Sequence, residues 1–537
     1  MGENLTRRPG RVLDDARRAG LATVLITCRC NPSLICHCRP PRANKETPYG
    51  SAQPADSPSG GRRKPRDPFG ELPAELLPTI LSHLDVKQAA RTSVLASAWR
   101  HTWKHSPKLT LDIVAMCGDG GYRHNYLKPV REELYRRRYV QRFIDTVDEV
   151  LRQRRGGGGA VDQLELRFDE CHLRQVSSRL YGWIRFAVSS RAKSVRLHVS
   201  EAPGVVYGRD RYELPLQLLD AGGGLSKLEH ISLSFVSLKV PVHAKSISFP
   251  NLNSLVLRLA TVSTSDLQHM LSNCPNLERL DMHKVYLDDQ LTVHRPLPRL
   301  LYLRLVDCRT TMIELHANSL KTFVFRGHSA PTIINLGGTS GLCNVNIQCF
   351  RLTLQQSVSS LPNSFPEVQR LCLCCTFTLP TLRSPVGNTP RFPHLKYLQL
   401  LSCIYPAELS NGILPIAYFL ESAPFLEELD IKFVSSCKNG GEGPLRTSAQ
   451  GQFEYKHLKR LRAREFTGQK DQLEIMMHIV ENAPALEILT IDPIMEHVPA
   501  TIDQVMEAET RSLTDIRRRA TTFIGEKLLA KTKFVVV

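Results

Sequence analysis

LNSLVLRLATVSTSDLQHMLSNCPNLERLDM, at residues 252–282, contains the pattern that decides the fold. An apolar-x-x-apolar-x-apolar motif stands at both of its ends, at Leu252, Leu255 and Leu257 and again at Leu277, Leu280 and Met282. Alternate residues of a strand point to opposite faces, so the second and third apolar side chains of each motif share one face. Residues 265–271 have helical apolar spacing and stop before Pro275, which cannot continue a helix. One strand and one returning helix are therefore predicted for each unit.

The same motif recurs through most of the chain. Its first apolar residue is Leu228, Leu252, Leu277, Leu300, Leu320, Leu342, Val368, Leu395, Leu426, Leu458 and Leu486, with earlier copies at Val161 and Ala192. The first intervals of 24, 25 and 23 residues lie within the range of about 20 to 29 residues typical of leucine-rich repeats. No single turn buries its apolar side until neighbours stack on it. We therefore expect an α/β fold, with a curved leucine-rich-repeat solenoid and a parallel inner sheet over residues 161–452. An ordinary doubly wound sheet would need longer helices and fewer strands.

The repeats also predict which strand residues face the core. Leu280 and Leu303 take the second apolar position of adjacent turns, and we expect them in a core that the turns share. Arg279 and Arg304 alternate to the opposite side of the same strands. We expect these arginines to be exposed and to affect partner binding rather than folding.

A second organised segment precedes the repeats, DPFGELPAELLPTILSHLDVKQAARTSVLASAWRHTWKHSPKLTL at residues 67–111. Pro73 suits the first position of a helix, and Asp85 suits the N-cap of a second one. Trp99 and Trp103 are four residues apart and would share one face of a third helix. Because so short a unit cannot bury this apolar surface alone, part of it is expected to be an interface.

This segment closely resembles the F-box, with Leu72-Pro73-x-Glu75-Leu76-Leu77-x-x-Ile80-Leu81-x-x-Leu84 followed by Ser93-Val94-Leu95-x-x-x-Trp99-Arg100-x-x-Trp103. The resemblance implies a three-helix F-box over residues 67–112 that binds the Skp-type adaptor of cullin-RING ubiquitin ligases and, through it, a cullin. The adaptor-binding residues that it implies are Leu72, Pro73, Leu76, Leu77, Ile80, Leu81, Leu84, Val94, Trp99 and Trp103. A helical bundle of unrelated origin with the same apolar pattern is the alternative.

The last repeats carry a second resemblance. Residues 455–468 and 472–487 look like the FBD region of plant F-box proteins, which assigns an FBD-like region to residues 453–493 and implies a plant source. Residues 494–537 are expected to form a C-terminal helical cap, with a basic helix over residues 517–531. Before the repeats, residues 131–155 have an apolar helical side and are expected to form a capping or linking helix. A basic helix that lies on phosphate or lipid is the alternative for that segment.

Residues 1–66 are rich in Pro, Gly, Ser and Arg and are expected to be a disordered basic tail, with 13 basic and 5 acidic residues. Two C-x-C pairs in it could supply four thiolates to zinc, although the usual C-x2-C spacing is absent. These weak candidates are Cys28, Cys30, Cys36 and Cys38. A basic cluster suits nuclear import but equally suits a solvated linker, and it consists of Arg62, Arg63, Lys64 and Arg66.

The composition bounds the remaining possibilities. The 537 residues include 70 Lys and Arg against 52 Asp and Glu, and nearly half of the formal +18 charge lies in the basic tail, which argues against nucleic acid as a partner of the repeats. The 15 cysteines are odd in number and often lie in apolar runs, as in proteins of a reducing compartment, so we expect the nucleus, the cytoplasm or both. No apolar run approaches the ~18 residues that a membrane span needs, so no membrane is expected as a partner.

The sequence contains no metalloprotease H-E-x-x-H, no G-x-S-x-G nucleophile elbow and no phosphate-binding loop. We therefore expect neither catalytic residues nor a cofactor. The favoured function is the substrate-recognition subunit of a Skp-cullin-F-box E3 ubiquitin ligase, in which the repeats bind an unknown protein target. A non-catalytic interaction scaffold and a small-ligand-sensing F-box receptor are the alternatives.

Overall fold

The structure of the chain is a computed structural model that divides into two compact units, Met1–Val161 and Asp162–Val537. It describes residues 81, 84, 86–92, 102–118, 129–156, 160–201, 211–220, 226–240, 247–288, 290–327, 333–353, 357, 361–376, 391–404, 413–435, 445, 454–493 and 505–537.

The described part of the first unit is mainly helical. Its described elements are helix α1 (Val86–Arg91), a 3₁₀ turn (Thr102–His105), strand β1 (Lys108–Asp112), helix α2 (Ile113–Cys117) and helix α3 (Pro129–Arg155). The carboxylate of Asp112 caps α2, since its Oδ1 accepts hydrogen bonds from the backbone N–H groups of Val114 and Ala115 at 2.8 and 3.0 Å. Such a cap satisfies donors that have no partner within the helix.

Helix α3 packs on the segment that follows the F-box motif. Its predicted apolar side is confirmed, because the buried residues include Val140, Phe143, Ile144, Val147, Val150 and Leu151. The hydroxyl of Tyr139 donates to the carbonyl of Gly118 at 2.8 Å. The guanidinium of Arg154, which is 3% exposed, donates to the carbonyls of Lys104 and Ser106, and burial lowers the pKa of Arg154 to about 10. The helix is thus fixed to its own unit by apolar packing and by three hydrogen bonds from two side chains.

The second unit is built on stacked parallel strands. In chain order its strands are β2 (Gln163–Asp169), β3 (Ser194–Ser200), β4 (Tyr212–Pro215), β5 (His230–Ser234), β6 (Val236–Lys239), β7 (Ser254–Arg258), β8 (Thr261–Val262), β9 (Arg279–His283), β10 (Gln290–Val293), β11 (Tyr302–Val306), β12 (Met312–Leu315), β13 (Thr322–Gly327), β14 (Ile333–Asn335), β15 (Asn344–Thr353), β16 (Arg370–Thr376), β17 (Tyr397–Ile404), β18 (Glu428–Ser435), β19 (Arg460–Arg464), β20 (Ile488–Asp492) and β21 (Lys533–Val536). The main sheet of this unit follows the order β2-β3-β5-β7-β9-β11-β13-β15-β16-β17-β18-β19-β20-β21. The α/β repeat fold is therefore confirmed.

The register of the main sheet is the one that the motif predicts. Leu280 pairs with Leu255 on one side and with Leu303 on the other, and both Leu280 and Leu303 have no exposed surface. The first apolar residue of every repeat from Leu228 to Leu486 is also buried. Because equivalent leucines stack from turn to turn, one continuous core holds the repeats together.

Where the structure describes the connections between strands, helices form some of them and short strands form others. The helices are α4 (Leu173–Ser189), α5 (Thr264–Ser272), α6 (Ile413–Ser422), α7 (Lys470–Glu481) and α8 (Val505–Phe523). The returning helix predicted at residues 265–271 corresponds to α5. Other turns return through a second short strand, and these strands form two small parallel sheets, β4-β6-β8 and β10-β12-β14, which the motif did not predict.

The C-terminal end differs from the expectation. The basic helix expected over residues 517–531 ends at Phe523 in the structure, and the chain then forms strand β21. Phe534 of β21 pairs with Leu489 of β20 in parallel. The reason is the unpaired edge of β20, whose backbone groups need partners that a helix does not supply.

A left-handed turn ends several strands of the main sheet. Five non-glycine residues directly after a strand have φ of 51 to 55°, namely Phe235, Leu259, Lys284, Asp307 and Glu465. Each such residue costs about 1–2 kcal/mol relative to ordinary backbone. In the first four, the N–H still donates to a carbonyl of the next strand, as in Asp307 to Arg326 at 2.8 Å. The turn therefore redirects the chain without the loss of a backbone hydrogen bond between adjacent strands.

Candidate functional site

The structure describes three of the ten residues that the F-box resemblance assigns to adaptor binding. Leu81 has no exposed surface and Trp103 is 6% exposed, so both lie in the interior of the first unit, whereas Leu84 is 37% exposed. Contact of these three with an adaptor stays a prediction. The other seven lie outside the described residues, and they are Leu72, Pro73, Leu76, Leu77, Ile80, Val94 and Trp99.

The face of the main sheet opposite the leucine core carries most of the charged strand residues. We call it the polar face, and it is formed by alternate strand positions such as Arg279, Asp281 and His283 on β9. Equivalent positions lie side by side on adjacent strands, as Asp281 and Arg304 do. Side chains on this face can therefore interact across strands, which makes it a candidate surface for a partner.

Asp281 lies between two arginines of the polar face. Its carboxylate receives hydrogen bonds from Arg279 Nη2 at 3.0 Å and from Arg304 Nη1 at 2.9 Å, and its side chain is 5% exposed. The guanidinium of Arg279 also lies over the ring of Tyr302, 4.2 Å from the centroid. The arginines are on the polar face as predicted. Their buried partner was missed, however, and it gives both arginines a role in folding.

Asp307 forms a second cluster beside the first. Arg326 donates to both of its carboxylate oxygens, from Nη2 at 2.7 Å and from Nε at 3.1 Å, while His283 Nε2 lies 3.7 Å from the same carboxylate. Burial lowers the pKa of His283, and the nearby Asp307 opposes this shift. The left-handed turn at Asp307 brings its carboxylate within reach of Arg326, so backbone geometry contributes to the cluster.

A third group of ion pairs covers strands β18 to β20. Asp430 accepts from Arg464 Nε at 2.9 Å, Lys432 pairs with Glu465 at 3.0 Å, and Arg462 pairs with Asp492 at 3.3 Å. Arg460 binds Glu428 on the adjacent strand. From β9 to β11 and from β18 to β20, charges of the polar face are thus matched within the sheet.

A cavity of about 530 Å³ opens at the edge where strands β16 to β19 begin. The ring of Phe425, which is 51% exposed, lies 5.4 Å from the ring of His457. Lys396 and Lys459 share the carboxylate of Glu427 at 3.5 and 3.8 Å. The lining residues are Gln369, Pro393, His394, Lys396, Phe425, Glu427, His457 and Lys459. Two lysines that share one carboxylate beside the ring of Phe425 leave a positive charge next to an apolar surface, which is suited to a small organic anion.

The FBD-like region contains a buried hydrogen-bonded network. Tyr455 Oη and His478 Nε2 share a hydrogen bond of 2.8 Å, and the side-chain amide of Asn482 donates to the carbonyl of His478 at 2.8 Å. Burial lowers the pKa of His478 to about 4 and raises that of Tyr455. Since the backbone N–H of Tyr455 also donates to the carbonyl of Asn482, the network joins the start of one repeat to the end of helix α7.

Metal-binding groups and reactive thiols were sought among the residues that the structure describes. Among those residues no group of His, Cys, Asp and Glu could hold a metal ion, and no helix is long and apolar enough to cross a membrane. Burial raises the pKa of the Cys274 thiol to about 12 and that of Cys308 to about 11, which makes both unreactive at neutral pH. The zinc candidates Cys28, Cys30, Cys36 and Cys38 and the import cluster Arg62, Arg63, Lys64 and Arg66 lie outside the described residues.

Comparisons with known families match both parts of the chain. A family model described as "At1g61320/AtMIF1, LRR domain" matches residues 150–537, and an F-box domain model matches residues 69–111. These two matches cover the repeats and the three-helix motif that the sequence predicted.

Similar proteins come from Arabidopsis thaliana. "FBD-associated F-box protein At4g13985" is 26% identical over 468 residues, which cover 81% of this chain and 90% of that protein. "F-box/FBD/LRR-repeat protein At1g13570" is 23% identical over 453 residues, which cover 82% of this chain and 94% of that protein. "F-box/LRR-repeat protein At3g58900" is 28% identical over 249 residues, or 45% of this chain and 66% of that protein. The resemblance thus extends over F-box, repeats and FBD-like region together.

Proposed function

The chain belongs to the plant F-box proteins with leucine-rich repeats and an FBD-like region, and from this membership we propose that it is the substrate-recognition subunit of a Skp-cullin-F-box ubiquitin ligase. The F-box match at residues 69–111 is the observation that carries the proposal. Residues 67–112 bind the Skp-type adaptor and, through it, a cullin. Other subunits of the complex transfer ubiquitin, so this chain needs no catalytic residues of its own.

The repeats supply the binding surface for the protein target, over residues 161–452 and the FBD-like residues 453–493. Two properties of the second unit support this role. Its core of stacked leucines is continuous, so the polar face is held rigidly. The side chains of Arg279, Arg304 and Arg326 are already fixed by ion pairs, which lowers the entropy lost when a partner binds.

The experiment that tests this proposal is capture of a plant Skp-type adaptor by the purified full chain and by the double variant Leu72→Ala/Pro73→Ala. Burying a leucine contributes about 1.5–3 kcal/mol, and loss of the proline loosens the start of the helix, so capture should weaken roughly tenfold or more. Pro78→Ala changes a proline at a variable position of the same motif, between Leu77 and Ile80, and serves as the matched control.

Thermal melting of the repeats should be the same in all three proteins, because the changes lie in the other unit. Capture of the adaptor by the double variant at the level of the unchanged chain would contradict the F-box assignment. Failure of the unchanged chain to capture any Skp-type adaptor would favour the interaction scaffold instead.

A small-ligand-sensing receptor is the second candidate function, and the cavity lined by Phe425 and His457 is the observation that favours it. Its volume of about 530 Å³ is in the range of known ligand sites. Under this function, target capture depends on a small molecule and is lost in Phe425→Ala. The receptor function is excluded if the chain captures its target after small molecules have been washed away and if Phe425→Ala captures it equally well.

A further inference from the structure

Between its two charge-matched parts, the polar face carries a row of carboxamides. Strand β15 places Asn344, Asn346 and Gln348 on this face at alternate positions, while Val345 and Ile347 between them are buried in the leucine core. We call the three carboxamides the amide stripe, and all three side chains are half-buried. Each carboxamide has an acceptor oxygen and two N–H donors, so the stripe offers hydrogen bonds without net charge.

The sheet itself uses only part of the hydrogen-bonding capacity of the amide stripe. Gln348 Nε2 donates to Asn346 Oδ1 at 3.2 Å, and Asn344 Nδ2 donates to the sulfur of Cys343 at 3.5 Å. Among the residues that the structure describes, these side chains have no other hydrogen-bond partner. The side-chain nitrogen of Asn346 and the side-chain oxygens of Asn344 and Gln348 are therefore available to a partner.

The spacing of the amide stripe matches the backbone of an extended peptide. Alternate residues of a strand are about 6.6 Å apart. An extended peptide directs the N–H and C=O groups of every second residue to the same edge, so each of its edges repeats at the same distance. A peptide that lies along β15 with one edge toward the stripe meets one carboxamide at each repeat. A helix does not offer these groups, because its own backbone already binds them.

The strands on either side of the amide stripe leave room for the side chains of such a peptide. In the register, Asn346 lies between Val324 of β13 and Cys372 of β16. Both neighbours are small, uncharged and half-buried. Side chains of an edge-on peptide point alternately to its two sides, so one set would lie over Val324 and the other over Cys372.

One unpaired cation borders the amide stripe. Arg370 of β16 lies beside Asn344 in the register, is exposed, and has its guanidinium over the ring of Tyr397, 4.1 Å from the centroid. Among the residues that the structure describes, Arg370 has no carboxylate in ion-pair contact. Arg326, on the other side of the stripe, is already bound by Asp307 at 2.7 Å. The chain therefore leaves one positive charge here for a partner to neutralise.

We propose that the amide stripe binds an extended segment of the target protein through its main-chain N–H and C=O groups, and that Arg370 binds an aspartate or glutamate of the same segment. The identity of the segment as part of a target rests on the proposed function, whereas the peptide site rests only on the sheet. Main-chain hydrogen bonds supply affinity with little dependence on sequence. The acidic residue then fixes the position of the segment along the stripe.

The charges around the amide stripe favour a peptide over a single-stranded nucleic acid. Nucleic acids are bound by several cations that neutralise successive phosphates. Among the described residues beside the stripe, Arg370 alone is a cation without a carboxylate partner, whereas Asp307 and Asp281 lie on the side of β11 and β9. A phosphate backbone that continued in that direction would meet these carboxylates.

The test uses the purified full chain and a phage-displayed library of random peptides. Peptides that bind the variant Asn344→Ala/Asn346→Ala/Gln348→Ala are first removed, and peptides that the unchanged chain then retains are sequenced and synthesised. We expect the retained peptides to share an aspartate or glutamate and to vary at most other positions. If the unchanged chain retains no peptide after this subtraction, the inference is wrong.

Backbone methylation of the synthesised peptides tests whether main-chain groups are bound. N-methylation at every second residue removes the N–H donors of one edge and leaves the side chains unchanged. One of the two alternate sets should weaken binding at least tenfold, and the other set should weaken it much less, because only one edge faces the stripe. Equal affinities after methylation of either set would contradict binding along β15.

Substitutions in the chain test which side chains take part. Asn346→Asp keeps the shape of the side chain but replaces its N–H donors by an acceptor, and it should weaken binding at least tenfold. Gln163→Ala is the matched control, because Gln163 is a carboxamide on the polar face of β2 that donates to Glu165 at 3.3 Å. It should change the affinity less than twofold. Thermal melting of every variant establishes that the repeats remain folded.

Arg370→Ala tests the acidic residue of the peptide. It should weaken binding of the selected peptides at least fivefold, but it should not weaken binding of the same peptides after their acidic residue is replaced by its amide. An equal effect on both kinds of peptide would contradict the ion pair. Binding of a single-stranded RNA that competes with the peptides would overturn the inference as a whole.

Adaptor capture, measured on the same preparations, separates this inference from the proposed function. If the adaptor is captured but no peptide depends on the amide stripe, the peptide site is wrong and the ligase role stands. If peptides bind in an Asn346-dependent way but no adaptor is captured, the peptide site stands and the ligase role fails.

Discussion

Removing both arginines that hold Asp281 should destabilise the repeats far more than the two single changes together. Asp281 is 4% exposed and has ion pairs with Arg279 and Arg304. Either single change to Ala leaves one guanidinium on the carboxylate. The double variant Arg279→Ala/Arg304→Ala leaves a buried charge without a cation, which is the costly state.

The expected losses of stability follow from how far the side chains of these ion pairs are exposed. The side chains of Arg279 and Arg304 are 45% and 32% exposed, so each single change should cost about 0.5–1 kcal/mol, as for partly exposed ion pairs. An unpaired buried carboxylate costs about 3–5 kcal/mol. Protonation limits this cost, since neutralising a carboxyl of pKa about 3.9 at pH 7 requires about 4 kcal/mol. The double variant should therefore lose about 3–4 kcal/mol, with about 2 kcal/mol of coupling.

Amide hydrogen exchange of peptides that cover β9 and β11 measures this loss where it occurs, because repeat arrays open locally. Adding Asp281→Asn to the double variant removes the buried charge and should restore most of the protection. Arg462→Ala is the matched control, because its partner Asp492 is 19% exposed and the pair should contribute less than about 1 kcal/mol. Additive losses in the double variant, or no recovery with Asp281→Asn, would refute the reasoning.

Three further predictions concern the core, the pH dependence and the tail. Leu280→Asp or Leu303→Asp buries an unpaired carboxylate that costs several kcal/mol, so limited proteolysis should cut several neighbouring turns in these variants but not in Arg279→Ala. The unfolded chain binds a proton at His478 near pH 6.5 and the folded chain only near pH 4, so stability should fall as the pH drops through this window, by roughly 3 kcal/mol in all. His478→Gln should remove that part of the pH dependence of the melting temperature, and an unchanged slope would contradict the assignment. Deletion of residues 1–66 should leave melting and adaptor capture unchanged and shift a fluorescent fusion from nucleus to cytosol. A lower melting temperature after the deletion, or after a chelator is added to the full chain, would instead favour a zinc site at Cys28, Cys30, Cys36 and Cys38.

The repeat architecture was predictable because the buried positions of each repeat are apolar and recur at a regular spacing in the sequence. Leu280 and Leu303 could be assigned to one core position, since every strand repeats the same apolar spacing. The apolar spacing does not predict the burial of a charged residue such as Asp281. Alternation places it on the polar face, but its burial depends on arginines from its own strand and the next. If the strand register had been known, the position of Arg304 beside Asp281 would have predicted this ion pair.

Other features depend on backbone pairing that no side-chain pattern encodes. Strand β21 forms because the edge of β20 offers unpaired groups, and the sequence KFVV alone did not distinguish that strand from the end of a helix. The left-handed residues at the strand ends are ordinary side chains such as Phe235 and Lys284, so no glycine marks the turns.

The most direct test of the central claim is the half-life of proteins that copurify with the chain lacking residues 67–112. We predict that these half-lives shorten at least twofold in plant cells that express the intact chain. They should not shorten with Leu72→Ala/Pro73→Ala, and they should recover when the proteasome is inhibited. Equal half-lives with the intact chain and with the double variant would contradict a role in substrate recognition for a ubiquitin ligase.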